Sequence, residues 1–435
     1  LFSAITRVFA SPDLRMKILF TLGIITIYRI GAFIPAPGVD YNGVQRCLAL
    51  GNTDGGLYSF VNMFSGGAML QVSVFALGIM PYITAAIIVQ LLRVVIPRFE
   101  ALQREGAQGQ AKLTQYTRYL TLALATLNAT VLVTMARSGA LLGCEPGEII
   151  PDDSMPVILL MILVMTTGVA MIMWLGEQIT ERGVGNGMSI LIFVAIAAGF
   201  PGSMRQIWVE QDWRVFTAIC VIGLCLIAAI VFVEQSQRRV PVQYAKKQVG
   251  RRTVGGTSTY IPIKVNMAGV IPVIFSSSVL MLPSVAMQFN QPTPGEEPSG
   301  IFVFLNQYFD GAHPVYMATF FLMTVGFTYF YVSITFNPNE VAENMRKYGG
   351  FIPGIRAGRP TEGYLAYVIS RITFPGSLYL GFVALIPLIA FVLIGADQNF
   401  PFGGTSILIM VGVGLTTVKQ ISAQMEQHNY EGLLR

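Results

Sequence analysis

The chain has 435 residues, 53% of them hydrophobic and 12% charged, with a mean hydropathy of +0.61 and a formal net charge of +5. Soluble domains carry about 25% charged residues, so this composition excludes a soluble globular domain and describes a polytopic membrane protein. At about 20 residues per crossing the apolar material supports roughly ten spans.

In chain order, apolar runs fall at about 18–35, 72–95, 117–136, 155–175, 187–201, 215–233, 267–286, 315–336, 372–394 and 404–422. The sequence begins at Leu1 rather than Met and is expected to lack a few residues; no small-residue cleavage site follows the first run. Between the first and second runs lies Phe60-Val-Asn-Met-Phe-Ser-Gly-Gly-Ala-Met-Leu-Gln71. This short, glycine-weakened segment leads into an apolar helix expected over 72–95. Non-helical backbone at membrane depth is tolerated only where protein buries it or water surrounds it, so the segment points to a cavity or pore. A loop on the membrane surface is the competing reading, and the local pattern does not separate the two. The fifth run is short and follows Gly183-Val-Gly-Asn-Gly187; the seventh carries Pro272 and Pro283, and the ninth Pro375 and Pro387.

With the N-terminus inside, 23 of the 28 Lys and Arg residues fall in inner segments and four, Arg46, Arg137, Arg205 and Arg214, in outer loops. Basic residues favour the cytoplasmic side, so this asymmetry fixes the orientation and supports an even number of spans. Both termini are then cytosolic. Five spans in each half suit an inverted five-plus-five plan, although no residue-level repeat is visible.

Chemical motifs are sparse. His313 and His428 are far apart, no His-Cys cluster has metal-ligand spacing, and no Gly-x-x-x-x-Gly-Lys-Ser/Thr loop is present. Gly183 to Gly187 resembles a phosphate loop only superficially, because no strand precedes it. No catalytic residue, metal or cofactor is expected. Cys220 and Cys225 read as small buried hydrophobes. Cys47 and Cys144 fall in loops on the same outer side, where a disulfide is open but not decided by sequence. Arg29 is the one clear ionisable residue within a span and could snorkel to the outer headgroups. No run carries a central carboxylate or His, which weighs against an ion-coupled transporter.

The midspan positions are aliphatic. Ile79 and Ile83 are four apart, as are Met188 and Ile192; Ile274 follows Pro272, and Ile409 sits in the tenth run. Ordinary helix packing explains any one such pair, whereas a ring of them would gate by dewetting. The inner loops 234–266 and 336–371 are basic. The first interleaves Arg238, Arg239, Lys246, Lys247, Arg251 and Arg252 with valines and Tyr244, which suits an ordered hairpin. The second presents Arg356 and Arg359 among Gly and Pro turns. Anionic-lipid contact accounts for both at about 1 kcal/mol per basic residue; the sharper reading is a docking platform for an acidic or phosphate-rich partner such as ribosomal RNA.

Several strings carry a family resemblance: Tyr28-Arg-Ile-Gly-Ala-Phe-Ile-Pro-Ala-Pro-Gly38, Asn62-Met-Phe-Ser-Gly-Gly67, Phe75-Ala-Leu-Gly-Ile-Met-Pro-Tyr-Ile83, Gly176-Glu-Gln-Ile-Thr-Glu-Arg-Gly183, Arg239-Val-Pro-Val-Gln-Tyr-Ala245, Tyr260 to Pro272 and Gly349-Gly-Phe-Ile-Pro-Gly-Ile-Arg356. From about Pro12 to Leu434 the chain resembles the SecY family, the channel-forming subunits of the Sec protein translocon. The resemblance implies an all-α fold of ten transmembrane helices, in two pseudo-symmetric inverted halves of five, around a central hourglass pore. The halves would be 18–201 and 202–422, after a cytosolic segment 1–17 and before a cytosolic tail 423–435.

It also implies residue roles. The plug would run from about 61 to 71, with Asn62, Met63, Phe64, Ser65, Gly66, Gly67 and Ala68 in it. Ile79, Ile83, Met188, Ile192, Ile274 and Ile409 would form the pore ring, Met188 departing from the usual isoleucine. The second helix facing the seventh and eighth would form a lateral gate. Arg238, Arg239, Lys246, Lys247, Arg251, Arg252, Arg356 and Arg359 would dock the motor ATPase SecA or the ribosome, Arg356 lying at the motor-critical position. SecE and SecG are the implied small subunits, SecDF and YidC further partners, signal peptides and nascent polypeptides the substrate, and anionic lipids the surroundings of a bacterial cytoplasmic membrane. From the residues alone, a secondary transporter is the runner-up, and it requires a polar midplane site that the sequence does not offer. A non-conducting scaffold is the third reading, and the plug-like segment argues against it.

Overall fold

The computed structural model describes residues 12–50, 65–139, 141, 144, 147–210, 213–244, 247–249, 252–254, 258–289, 313–394 and 404–431. Helices dominate: α1 Pro12–Phe33, α2 Tyr41–Leu50, α3 Met80–Val95, α4 Pro97–Arg104, α5 Ala107–Arg137, α6 Met155–Arg182, α7 Gly187–Glu210 and α8 Trp213–Gln235. Four short strands follow, β1 Gln237–Tyr244, β2 Lys247–Val249, β3 Arg252–Val254 and β4 Ser258–Lys264. The chain continues through α9 Ile271–Phe289, α10 Pro314–Thr335, α11 Pro338–Lys347, β5 Gly350–Phe351, α12 Arg359–Ile394 and α13 Gly404–Glu431.

Each of the ten apolar runs lies on a helix of its own, but not all of these helices are full spans. Among the described residues seven are long and apolar enough to cross a membrane: α1, α5, α6, α8, α10 continued into α11, α12 and α13. The pair α3–α4, bent by 100°, makes an eighth only if the two helices form one broken span rather than a re-entrant loop. Gly187–Gly202 and Ile271–Leu280 are apolar but shorter.

The helix expected over 72–95 needs correction. Helical structure starts only at Met80, and residues 66–79 wind through successive turns. The cause is a competing partner for the backbone. Ser73 forms a β-bridge with Pro35; Ala36 N donates to Val72 O at 3.0 Å, and Val74 N to Ile34 O at 2.9 Å. Val72 is held at φ +46° and Gly78 at +55°, values a right-handed helix cannot include. Pro272 stands at the first turn of α9, where a missing N–H breaks nothing.

The chain forms two compact units. The first contains residues 1–216, 395–401 and 413–435, the second residues 217–394 and 402–412. In the first unit, Ala125, Ala129, Val133 and Ala136 line one face of α5 and pack with Met161, Met165 and Val169 of α6 around Met69, Val72 and Ala76. Small residues at helical spacing let backbones approach closely without bulky side chains between them. A second cluster joins Ile24 and Tyr28 of α1, Phe75 and Ile79, Ile172, Leu175 and Ile179 of α6, and Leu191 and Ala195 of α7. The turn-wound segment therefore sits inside protein, which satisfies the condition for irregular backbone at membrane depth.

In the second unit, Phe275 of α9 meets Phe327 of α10 edge-on at 4.3 Å, and Phe321 of α10 lies 5.3 Å from Phe382 of α12. Past its helices stands a three-stranded sheet in the order β4-β1-β5, with β2 and β3 as a separate hairpin.

Candidate functional site

Of the expected plug residues, Asn62, Met63 and Phe64 lie outside the described residues. Ser65 and Ala68 are each 1% exposed. Ser65 Oγ accepts from Met69 N at 3.1 Å, and Ser73 N donates to Ala68 O at 3.1 Å. Gly66 and Gly67 take φ of +65° and +90°, which glycine adopts without steric cost.

Arg29 of α1 reaches this segment. Its Nη1 donates to Gly66 O at 3.0 Å, and its guanidinium lies 5.2 Å from the centre of the Phe33 ring. The expectation that Arg29 snorkels to headgroups is thus corrected: the side chain turns to the glycine loop, where a backbone carbonyl accepts its proton. The preceding residue, Tyr28, stacks on Phe75 with ring centres 5.9 Å apart.

Three expected ring positions, Ile79, Ile83 and Ile192, come together in one apolar cluster of the first unit. Met188 is 8% exposed, one turn before Ile192, and its Sδ lies 2.5 Å from where a Cβ on Gly176 would stand. Ile274 and Ile409 belong to the second unit and are 4% and 1% exposed.

The two basic loops, read separately in sequence, are one structure. Tyr244 of β1 pairs with Gly350 of β5, and Gln243 with Phe351. Beneath the sheet Val240, Val242, Ile263, Met345, Ile352, Leu365 and Val368 form a core. Arg238, Arg239, Arg356 and Arg359 are exposed around it. Arg239 lies 4.8 Å over the Tyr260 ring, and Arg356 O accepts from Thr361 Oγ1 at 2.9 Å. Lys247 and Arg252 stand on β2 and β3, paired with Val254 and Val249 respectively. Lys246 and Arg251 lie outside the described residues. The sheet presents cations without burying them, which suits an anionic macromolecule.

Sequence reasoning missed one polar contact in the first unit. Arg118 of α5 and Glu177 of α6 form a two-pronged ion pair, with N–O distances of 2.8 and 2.9 Å. The available signal was a carboxylate, Glu177, just past the end of the apolar run 155–175. The pairing that sequence left open is made: a disulfide joins Cys47 of α2 to Cys144. Glu148 Oε2 lies 3.6 Å from Cys47 Sγ. The three groups would suit a metal by proximity, but both sulfurs are used in the disulfide.

The comparisons agree with this architecture. A family model described as SecY matches residues 73–418. Over 434 residues the chain is 67% identical to the protein translocase subunit SecY of Micrococcus luteus, covering 99% of each. Its fold resembles that of a SecY translocation channel whose plug domain stabilises the closed state and maintains a membrane seal, with a TM-score of 0.62 and 19% identity over 94% of this chain and 92% of that one. It also resembles the channel of a canine ribosome-channel complex from the endoplasmic reticulum, with a TM-score of 0.60, 19% identity and the same coverage. The family match and the full-length identity together establish that the chain belongs to the SecY family.

Proposed function

We infer that this multi-pass membrane protein is a protein-conducting channel. It passes unfolded secretory polypeptides across a bacterial cytoplasmic membrane and releases membrane helices sideways into lipid. The observation that carries the reading is the buried, turn-wound segment Ser65 to Ile79: irregular backbone packed among the apolar helices α1, α5, α6 and α7. Such backbone is costly in lipid and is kept where protein buries it or where it borders a water path; a plug held inside the first unit meets the first condition and would close the second.

In this reading residues 62–68 are the plug, and Ile79, Ile83, Met188, Ile192, Ile274 and Ile409 form a hydrophobic ring. The ring blocks ions by dewetting when idle and seals around a chain in transit. The halves 18–201 and 202–422 part at a lateral gate between the second helix and the seventh and eighth. Both termini and the β-sheet platform face the cytosol. Exposed Arg238, Arg239, Arg356 and Arg359 suit the acidic surface of SecA or the phosphates of ribosomal RNA. SecE and SecG complete the complex. A docked partner binds the open state better and shifts the population toward it, while the motor or translation supplies the free energy. The chain itself catalyses no covalent step.

A photo-crosslinking residue at Ile83, with a secretory precursor stalled in transit, tests the reading. A crosslink that requires a functional signal sequence places a polypeptide in the pore. Crosslinks confined to the lipid-facing side of α3 would move the pore axis elsewhere, and none at all would favour a small-solute transporter.

A further inference from the structure

We propose that Arg29 is a latch on the plug: by donating to the carbonyl of Gly66 it sets how often the idle channel opens. The proposal rests on residues 62–68 being the plug. Arg29 stands on α1 one turn before Phe33, and its contact with Gly66 spans 37 residues of sequence. A hydrogen bond from an ionised donor is roughly twice as strong as a neutral one, and the partly buried setting screens it less than bulk water would. Phe33 adds a second restraint, since its ring 5.2 Å away holds the guanidinium by cation–π attraction.

The other side of the contact is equally specific. Gly66 has φ +65°, and a Cβ there would fall 2.9 Å from Arg29 Nη1 and 3.0 Å from Ala195 O. A side chain at 66 would therefore push the loop off both α1 and α7. Gly67, next in sequence, has no described residue within 4 Å of its would-be Cβ, so among the described residues the close approach belongs to Gly66 of the pair. Residues 65–79 rejoin the chain at the Pro35–Ser73 bridge. The loop is thus pinned by backbone bonds on its C-terminal side and by Arg29 at its glycine tip. Once the loop leaves, a long side chain one turn from the helix end can place its charge among outer headgroups. The latch then has two resting positions and no stranded charge in either.

Single-channel recording of the complete channel complex in planar bilayers tests this. Arg29→Met should raise the idle open probability about tenfold to hundredfold, the weight of one hydrogen bond to a charged group. Arg29→Lys, which keeps the charge but loses the fork, should give a smaller rise. Gly66→Ala should reproduce the rise with Arg29 and its helix intact, which covers the case that the Met variant fails to assemble. In a channel lacking residues 62–68, Arg29→Met should add nothing, because the two changes remove one interaction. Wild-type open probability in both Arg29→Met and Gly66→Ala, with a raised one in the deletion, would overturn the latch and leave the plug standing. An undiminished effect of Arg29→Met in the deletion background would make Arg29 a helix-packing residue instead. A deletion that stays as closed as wild type would remove the plug reading itself.

Discussion

The positions that shape the first unit most sharply are those where a side chain is missing. A Cβ on Gly168 of α6 would lie 2.1 Å from the carbonyl oxygen of Val74. That oxygen belongs to backbone tied to Ile34, so no rotamer change relieves the clash and the turn segment itself must move. Gly168→Ala is therefore expected to cost about 1–3 kcal/mol, the usual range for overpacking. Gly23 on α1 has no described residue within 4 Å of its would-be Cβ, and Gly23→Ala should be neutral or slightly stabilising by helix propensity. Thermal midpoints of the two purified variants test the contrast; equal midpoints would mean that the segment yields freely. Neither glycine differs from the other in sequence. What separates them is a neighbour from a distant segment, Val74 in one case and no described residue in the other, which a linear reading cannot see. Arg29 illustrates the converse. Its oddity as a cation in an apolar run was legible, but its partner, an uncharged carbonyl 37 residues on, carries no side-chain signal.

At the scale of elements, the basic loops were legible as ordered, cation-bearing segments and illegible as a single body. Alternation in Arg239-Val-Pro-Val-Gln-Tyr244 marks a strand, and β1 pairs with β4 along seven residues from Gln237 to Gln243. The two-residue strand β5 has no pattern of its own; it exists because Tyr244 and Gln243 offer it an edge. This separates fold from docking in the platform. Ile352 is 3% exposed in the core beneath the sheet, and Ile352→Asp should unfold the platform locally and increase protease cleavage there. Arg356 is exposed, so Arg356→Glu should leave cleavage as in wild type while abolishing motor-driven export and sparing membrane insertion. Normal export by the Arg356 variant, at normal expression, would remove this residue from the motor interface. A second element-level prediction concerns α2. Its disulfide to Cys144 closes a separation of 97 residues, and Cys220 and Cys225 are free. Denatured chains labelled with a maleimide should count two thiols before reduction and four after it. Four before reduction would mean that α2 is held by packing and by backbone bonds such as Asp40 N to Ile149 O.

For the whole molecule, hydropathy and charge reach further than they do locally, because the bilayer acts on every residue alike. The ten apolar runs each find a helix, and the asymmetry of Lys and Arg proposes an orientation without any contact being known. What hydropathy cannot supply is where apolar residues stop packing helices and start lining a path. Ile79, Ile83 and Ile192 share a cluster with Leu191 and Ile179, which have no proposed pore role; composition does not distinguish them. The distinction is functional, and Ile409 offers the cleanest case. It is 1% exposed in the second unit and follows buried Ile407 and Leu408 on α13. If it served packing alone, Ile409→Asn would place an unsatisfied amide in an apolar site, lower stability by about 1–3 kcal/mol and reduce export of every precursor alike. If it belongs to the ring, the polar amide wets the constriction, weakens the closed state and admits chains whose signals open the gate poorly. The expected outcome is the second: export of precursors with defective signal sequences rises several-fold, while export with intact signals changes little. Precursors with defective signals that stay as poorly exported as before would take Ile409 out of the ring and leave it to the helix interface.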